Sequence, residues 1–302
     1  MSTPAVSPAF PGPPCSNSPI RSGLPHACDA GDSLRYSRMA DLGKGRRAMT
    51  DDALMETEPF NQTGRYEQFM EVIRARMTSR EFDADYVVPR EHHEMIIEAA
   101  RHAPSGADAQ PWHFIAITEP GIKDQLGEHF VQERYRRKEL GMNFPSPNYR
   151  GMKTAPGLIV VVADFRYVKA FPVLGDGSEQ DRLYTENAER ILLQSVAAST
   201  MAAHLAAASL GYAVWWVTAI GQEEAQRELR PLLGVPDELA LMDIMCFGPP
   251  KKPPYKRWKK RLDEVLSWDR YDRTKFQTAA DIDAWIENDR ARVMYRDESR
   301  ID

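Results

Sequence analysis

At 302 residues, with 42% hydrophobic and 27% charged side chains, the chain is long enough to bury a sizeable core. Its formal net charge of −5 argues against a nucleic-acid binder, which carries a basic excess. Cys15, Cys28 and Cys246 lack any metal-like or paired spacing, so a reducing, cytoplasmic setting without a disulfide framework is expected.

Residues 1–48 are rich in Pro, Ser, Gly and Ala without apolar periodicity, and residues 1–60 are expected to form a disordered N-terminal segment. They lack the continuous apolar core of a secretory signal. "RYEQFMEVIRARM" then places Tyr66, Phe69, Met70, Ile73 and Met77 at helical spacing. "REHHEMIIEAARHA" follows Pro89 as a second helix, stopped by Pro104, with His92 and His93 expected on its surface. A small "SGADA" loop leads to a strand, "WHFIAIT". Residues 121–142 read as a charged surface helix, and "PGLIVVVADF" as a strand apolar on both faces and therefore buried.

The uncharged run of residues 191–221 is long enough to mimic a membrane span. Gln194, His204 and its alanine-rich composition instead predict a long core helix closed by Gly211, and no membrane partner. A strand "AVWWVTAI", a helix "QEEAQRELRPLL" and a strand "ALMDIMCFG" follow. A basic loop then leads to a polar tail with a helix near "AADIDAWIENDRA". The strands are too few for repeated βαβ units, so an α+β sheet wrapped by helices fits best.

Four blocks stand in order: "RARMTSREF", "APSGADAQPWHF", "LGYAVWWVTA" and "LGVPDELALMDIMCFGPPKKP" with its following "KKRLDEVL". Together they resemble the flavin-dependent nitroreductase family, and within it the branch of the iodotyrosine dehalogenases. The resemblance implies a mostly antiparallel sheet wrapped by helices over residues 61–272, with a C-terminal extension over 273–302. It further implies a homodimer with the long helix at its interface, bound FMN, NADH or NADPH as reductant, and a small acceptor: nitroarene, quinone or halogenated phenol. A non-catalytic FMN-binding or delivery protein, or a dehydrogenase run in the oxidising direction, is the rival reading.

An FMN phosphate is close to a dianion, and charge-assisted Arg contacts hold such groups most strongly. Arg76 and Arg80, at i and i+4, are expected on one face of a helix end with the Thr78 hydroxyl between them. Met77 occupies the position where the family often carries a second basic residue. Lys259 and Arg261 are expected to close from the opposite side. Pro104, Ser105 and Gly106 supply a loop poor in side chains for the flavin's polar edge, within reach of Asp108 and Gln110. Val217 and Thr218 match the family segment whose main chain lies beside the reactive N5 edge. Asp108, where the family frequently has Asn, is expected to point away or to be offset by Arg76 or Arg80.

The Glu-Tyr-Lys set with which the dehalogenase branch grips its substrate has no clear counterpart here. Arg134, Arg136, Arg137 and Lys138 point either to an anionic substrate or cofactor phosphate, or to a plain solvated helix. Trp215, Trp216 and His204 are expected in the core. No acid–base pair and no metal site is expected, since His92, His93 and His204 lack a further ligand at metal spacing.

Overall fold

The computed structural model describes residues 63–142, 144–252, 259–290 and 294. The disorder expected over residues 1–60 lies outside the described residues. Four strands, β1 (Trp112–Ile117), β2 (Gly157–Ala163), β3 (Ala213–Val217) and β4 (Ala240–Gly248), form one sheet in the order β1-β2-β4-β3. Every neighbouring pair is antiparallel.

The described helices are α1 (Thr63–Ala75), α2 (Arg90–Arg101), α3 (Pro120–Glu139), α4 (Arg150–Lys153), α5 (Glu179–Ser209), α6 (Glu223–Leu233), α7 (Leu262–Val265) and α8 (Ala279–Asn288). Gly211 follows α5 at φ 83°, in the left-handed region that closes helices readily. Among the described residues one helix, α5, is long and apolar enough to cross a bilayer, yet half of its apolar window is buried inside this fold.

β2 shows why an unbroken apolar run is needed at the centre of the sheet. Leu158, Val160 and Val162 join one cluster with Leu126 and Phe130 of α3, Met152 of α4 and Leu229 of α6. Ile159 joins another with Ile96 and Ala100 of α2 and Ala203 and Ala207 of α5. Val161 and Ala163 meet Val196 of α5. The strand period of two deals successive side chains to opposite layers, so both must be apolar.

At the start of β2 the packing leaves no spare volume. A Cβ added at Gly157 would lie 2.4 Å from the Phe247 ring, whereas one added at Gly64 would meet nothing within 4 Å. Gly157→Ala is therefore expected to destabilise the fold by about 1–3 kcal/mol, measured as a lower urea midpoint, while Gly64→Ala leaves the midpoint unchanged or slightly raised.

Candidate functional site

The segment after α1 does not continue as a helix. Val214 donates to the Met77 carbonyl and Ser79 donates to the Val214 carbonyl, both at 3.0 Å, so Thr78 forms a parallel bridge to Val214 on the edge of β3. The expected helical i, i+4 face for Arg76 and Arg80 is thus corrected to extended backbone. Pairing with an otherwise open strand edge outweighs one more helical turn. Met77 packs on the core cluster shared with Trp215, and Arg76 and Thr78 alternate to the other face. The Ser79 hydroxyl donates to the Glu81 carbonyl and accepts from its amide, which bends the chain at Arg80. The Arg80 guanidinium lies 5.8 Å from the Trp215 ring centroid. Gly151 of α4 presses on its backbone so closely that a Cβ there would meet the Arg80 carbonyl oxygen.

The loop between α2 and β1 is the most strained part of the described backbone. Ala107, Asp108 and Gln110 all have positive φ, at 53°, 49° and 45°. Such values are uncommon outside glycine and cluster at functional sites. Ser105 organises the loop: its carbonyl accepts from the Asp108 amide at 3.2 Å and its hydroxyl from the Gln110 amide at 3.0 Å. Pro104, Asp108 and Gln110 are exposed, and Gly106 is half-buried. The Asp108 carboxylate accepts from the Gln110 side-chain amide at 3.0 Å. Pro111 fixes the exit, its carbonyl accepting from Asp164 at 2.8 Å.

β3 ends at Val217, three residues earlier than the alternation of "AVWWVTAI" implies, because Gly221 donates to the Thr218 carbonyl and turns the chain. Val217 is buried and Thr218 exposed. The two tryptophans before them part company: Trp215 is core, 3% exposed, and Trp216 is 38% exposed. Trp216 donates its indole N–H to Asp243 of β4, which also accepts from the Thr200 hydroxyl of α5 at 2.9 Å. Burial pushes the Asp243 carboxyl up, and these two hydrogen bonds oppose the shift. The His204 ring lies 5.2 Å from that of Trp216.

Lys259 and Arg261 lie on a C-terminal arm carrying α7 and α8. Arg261 donates to both oxygens of Asp263, at 3.0 and 3.2 Å, and Lys259 is exposed. The closure expected from them on the Arg76–Arg80 segment has no counterpart in the bonds of Arg261 among the described residues.

The charges on α3 are largely spent within the protein. Glu133 is 7% exposed and accepts from Arg136 at 2.8 Å and from Arg137 at 2.9 Å. Burial alone would raise its carboxyl, but the two guanidiniums prevail and hold it below the usual range. Arg136 also pairs with Glu224, and Arg137 with Gln222, clamping α3 on α6 and the turn before it. Arg137 further bonds Tyr149, whose ring stacks on Trp215 at 5.6 Å. For Arg136 and Arg137, then, neither a free anion grip nor a plain solvated face describes the helix. Arg134 lies over its neighbour Tyr135, and Lys138 is exposed.

The profile of the nitroreductase family matches residues 73–249. The chain belongs to that family. An Archaeoglobus fulgidus protein named for NADH dehydrogenase and NAD(P)H nitroreductase activity is 28% identical over 185 residues, 61% of this chain and 87% of its own length. Iodotyrosine deiodinase 1 of Mus musculus is 27% identical over 216 residues, 67% of this chain and 70% of the mouse protein. The iodotyrosine deiodinase of Haliscomenobacter hydrossis is 32% identical over 142 residues, 43% of this chain and 59% of its own length. The structure of an FMN-dependent nitroreductase from Clostridium difficile shares the fold at a TM-score of 0.50, with 18% identity over 67% of this chain and 99% of that one. The α+β nitroreductase-like architecture read from the sequence is the one observed.

Several polar residues packed among these elements escaped sequence reasoning. Ser195 and Thr200 look like ordinary small residues of a core helix. Asp243 carried a legible signal, since a carboxylate inside the apolar run "ALMDIMCFG" needs a buried partner. His93, expected on the surface, is instead buried against Phe247. His204 is buried as expected, and its Nε2 has no hydrogen-bond partner among the described residues.

Burial, reinforced by the charge of Arg76, lowers His204 to about 4. A depressed histidine favours its neutral form in the fold, so this stabilisation is full above the unfolded value near 6.5 and is lost as pH falls toward 4. The wild type should lose about 2–3 kcal/mol between pH 7 and 4 from this group alone. The difference appears on subtracting the pH–stability curve of His204→Gln, in which the other titrations are retained.

Proposed function

We propose that this nitroreductase-family chain is an FMN-dependent oxidoreductase that draws on NADH or NADPH and reduces a small aromatic acceptor, acting as a cytoplasmic homodimer. The observation that carries the reading is the donor set at the edge of β3. Within five residues it presents two guanidiniums and a hydroxyl, Arg76, Arg80 and Thr78, and the chain also carries, ahead of β1, a strained loop almost free of bulky side chains. That set suits a phosphate dianion, and the loop suits a flat ring edge. When bound, FMN supplies the two-electron chemistry, accepting from the nicotinamide and delivering to the acceptor in a ping-pong cycle.

The residues divide the work of holding and orienting. Arg76, Thr78 and Arg80 would hold the phosphate, and of these Arg80 is the candidate to bring positive charge toward the pyrimidine end. Met77 contributes through its position, seated in the core while its carbonyl anchors β3. Pro104, Ser105 and Gly106 keep the approach to the ring open, and the Ala107 N–H, without a partner among the described residues, is an available donor. Asp108, already sharing a hydrogen bond with Gln110, keeps its charge from standing alone there. Val217 and Thr218 offer main-chain groups beside the reactive edge.

Exposed Leu193 and Met201 on α5, with Trp268, Tyr271 and Phe276 on the arm, exceed the scattered apolar exposure of a monomer and support pairing with a second copy. For the acceptor, the mouse and Haliscomenobacter relatives are named as iodotyrosine deiodinases, which favours a halogenated phenol. A 28% identical relative from Helicobacter acinonychis is named an oxygen-insensitive NADPH nitroreductase, which favours a nitroarene.

The purified protein should be yellow, bleach with NADH or NADPH in the absence of oxygen, and recolour when a nitroarene or iodophenol is added. Arg76→Ala combined with Arg80→Ala should weaken FMN binding more than about a hundredfold, since each charged contact contributes about 1.5–3 kcal/mol. A double variant that stays fully yellow after gel filtration refutes the phosphate assignment.

A further inference from the structure

The loop of residues 105–110 holds three non-glycine residues at positive φ, a geometry that persists only where the surroundings over-determine it. Most of its hydrogen bonds are internal. They run from Asp108 to the Ser105 carbonyl, from Ala109 to the Gly106 carbonyl, and from Gln110 to both the Ser105 hydroxyl and the Asp108 carboxylate. Internal bonds shape the loop but do not fix where it stands. The polar tie to another element, among the described residues, is the Gly106 amide, which donates to Ser195 Oγ at 3.1 Å.

Ser195 is suited to that task. It lies on the core helix α5, is 5% exposed, and donates its own proton to the Ile191 carbonyl at 2.7 Å, which turns an oxygen lone pair toward the loop. The same helix sets the distance. A Cβ at Gly106 would lie 2.2 Å from Ile191 Cγ2 and 3.0 Å from the Phe171 ring, so only glycine lets the backbone come close enough for the bond. Hydroxyl, amide and missing side chain thus form one latch between helix and loop.

We propose that Ser195 is the positioning residue of the flavin site. It acts through the Gly106 amide and touches neither cofactor nor substrate. It holds the 105–110 loop where its backbone meets the ring edge of the bound flavin. This rests on the FMN reading above.

The test titrates the apoprotein of the full chain with FMN and records the absorbance bands of the bound flavin. Ser195→Ala should raise the FMN dissociation constant about tenfold, the size of one lost hydrogen bond. It should also blur the vibronic shoulder of the flavin band, while the Tm of the apoprotein stays close to wild type. Ser195→Thr and Ser195→Val form a matched pair, equal in shape and differing in the hydroxyl; Thr should bind FMN more tightly than Val, even if Ser195→Ala fails to fold. Equal affinity and equal spectra for Thr and Val, or a Ser195→Ala protein within twofold of wild type, overturn the latch while the site reading stands. A wild-type apoprotein that takes up no FMN overturns the site reading, and the latch with it.

Discussion

Val214 donates to the Met77 carbonyl and accepts from the Ser79 amide, and these two bonds stitch the chain after α1 onto the edge of β3. Much else in the site follows from that stitch. It ends the helix at Ala75, covers an edge that would otherwise stand open, and sends Met77 to one layer and Arg76 and Thr78 to the other. Farther along, Asp83 donates to the Pro249 carbonyl and Lys251 to that of Glu81, so the cationic segment is bound to the ends of both β3 and β4. Charged groups held this way keep their positions without a ligand, which lowers the cost of ordering them when one binds.

Around this edge the protein accepts unfavourable local features and compensates for them with buried polar bonds. Asp243 is taken from water, yet Thr200 and Trp216 both donate to it, and the pair ties α5 to both β4 and β3. Its position follows a register shift in the pairing of β2 with β4, a kind of irregularity that re-aims side chains near functional sites. The loop of residues 105–110 is the second case: strained in itself, docked on a rigid helix, and bracketed by Pro104 and Pro111. Both features converge on the layer that holds α5.

The opposite layer is organised by charge. Glu133 gathers Arg136 and Arg137, which reach Glu224 and Gln222, while His129 meets Glu228 at 2.8 Å. Arg137 continues to Tyr149 and so to Trp215, over which Arg80 lies. A continuous set of contacts therefore links the cationic segment to the α3–α6 pair. Arg136 and Arg137, committed in this way, are poor receptors for an anionic ligand.

Periodicity carried the elements, and the family resemblance their antiparallel arrangement. The four strands, the long α5 closed by Gly211, and the buried two-faced character of β2 could all be read because local pattern and burial agree there. The residue types of the site were legible too, in "RARMTSREF" and "APSGADAQPWHF". What the linear pattern could not hold was any choice made by a distant partner. Arg76–Arg80 is extended because Val214 stands beside it. Residues 218–221 turn because Gly221 reaches the Thr218 carbonyl. His93 is buried because Phe247 covers it, and Ser195 matters because Gly106, 89 positions away, arrives at its hydroxyl. Sequence spacing encodes a residue's own backbone preference; hydrogen-bond partners far along the chain exist only once the sheet and α5 have packed.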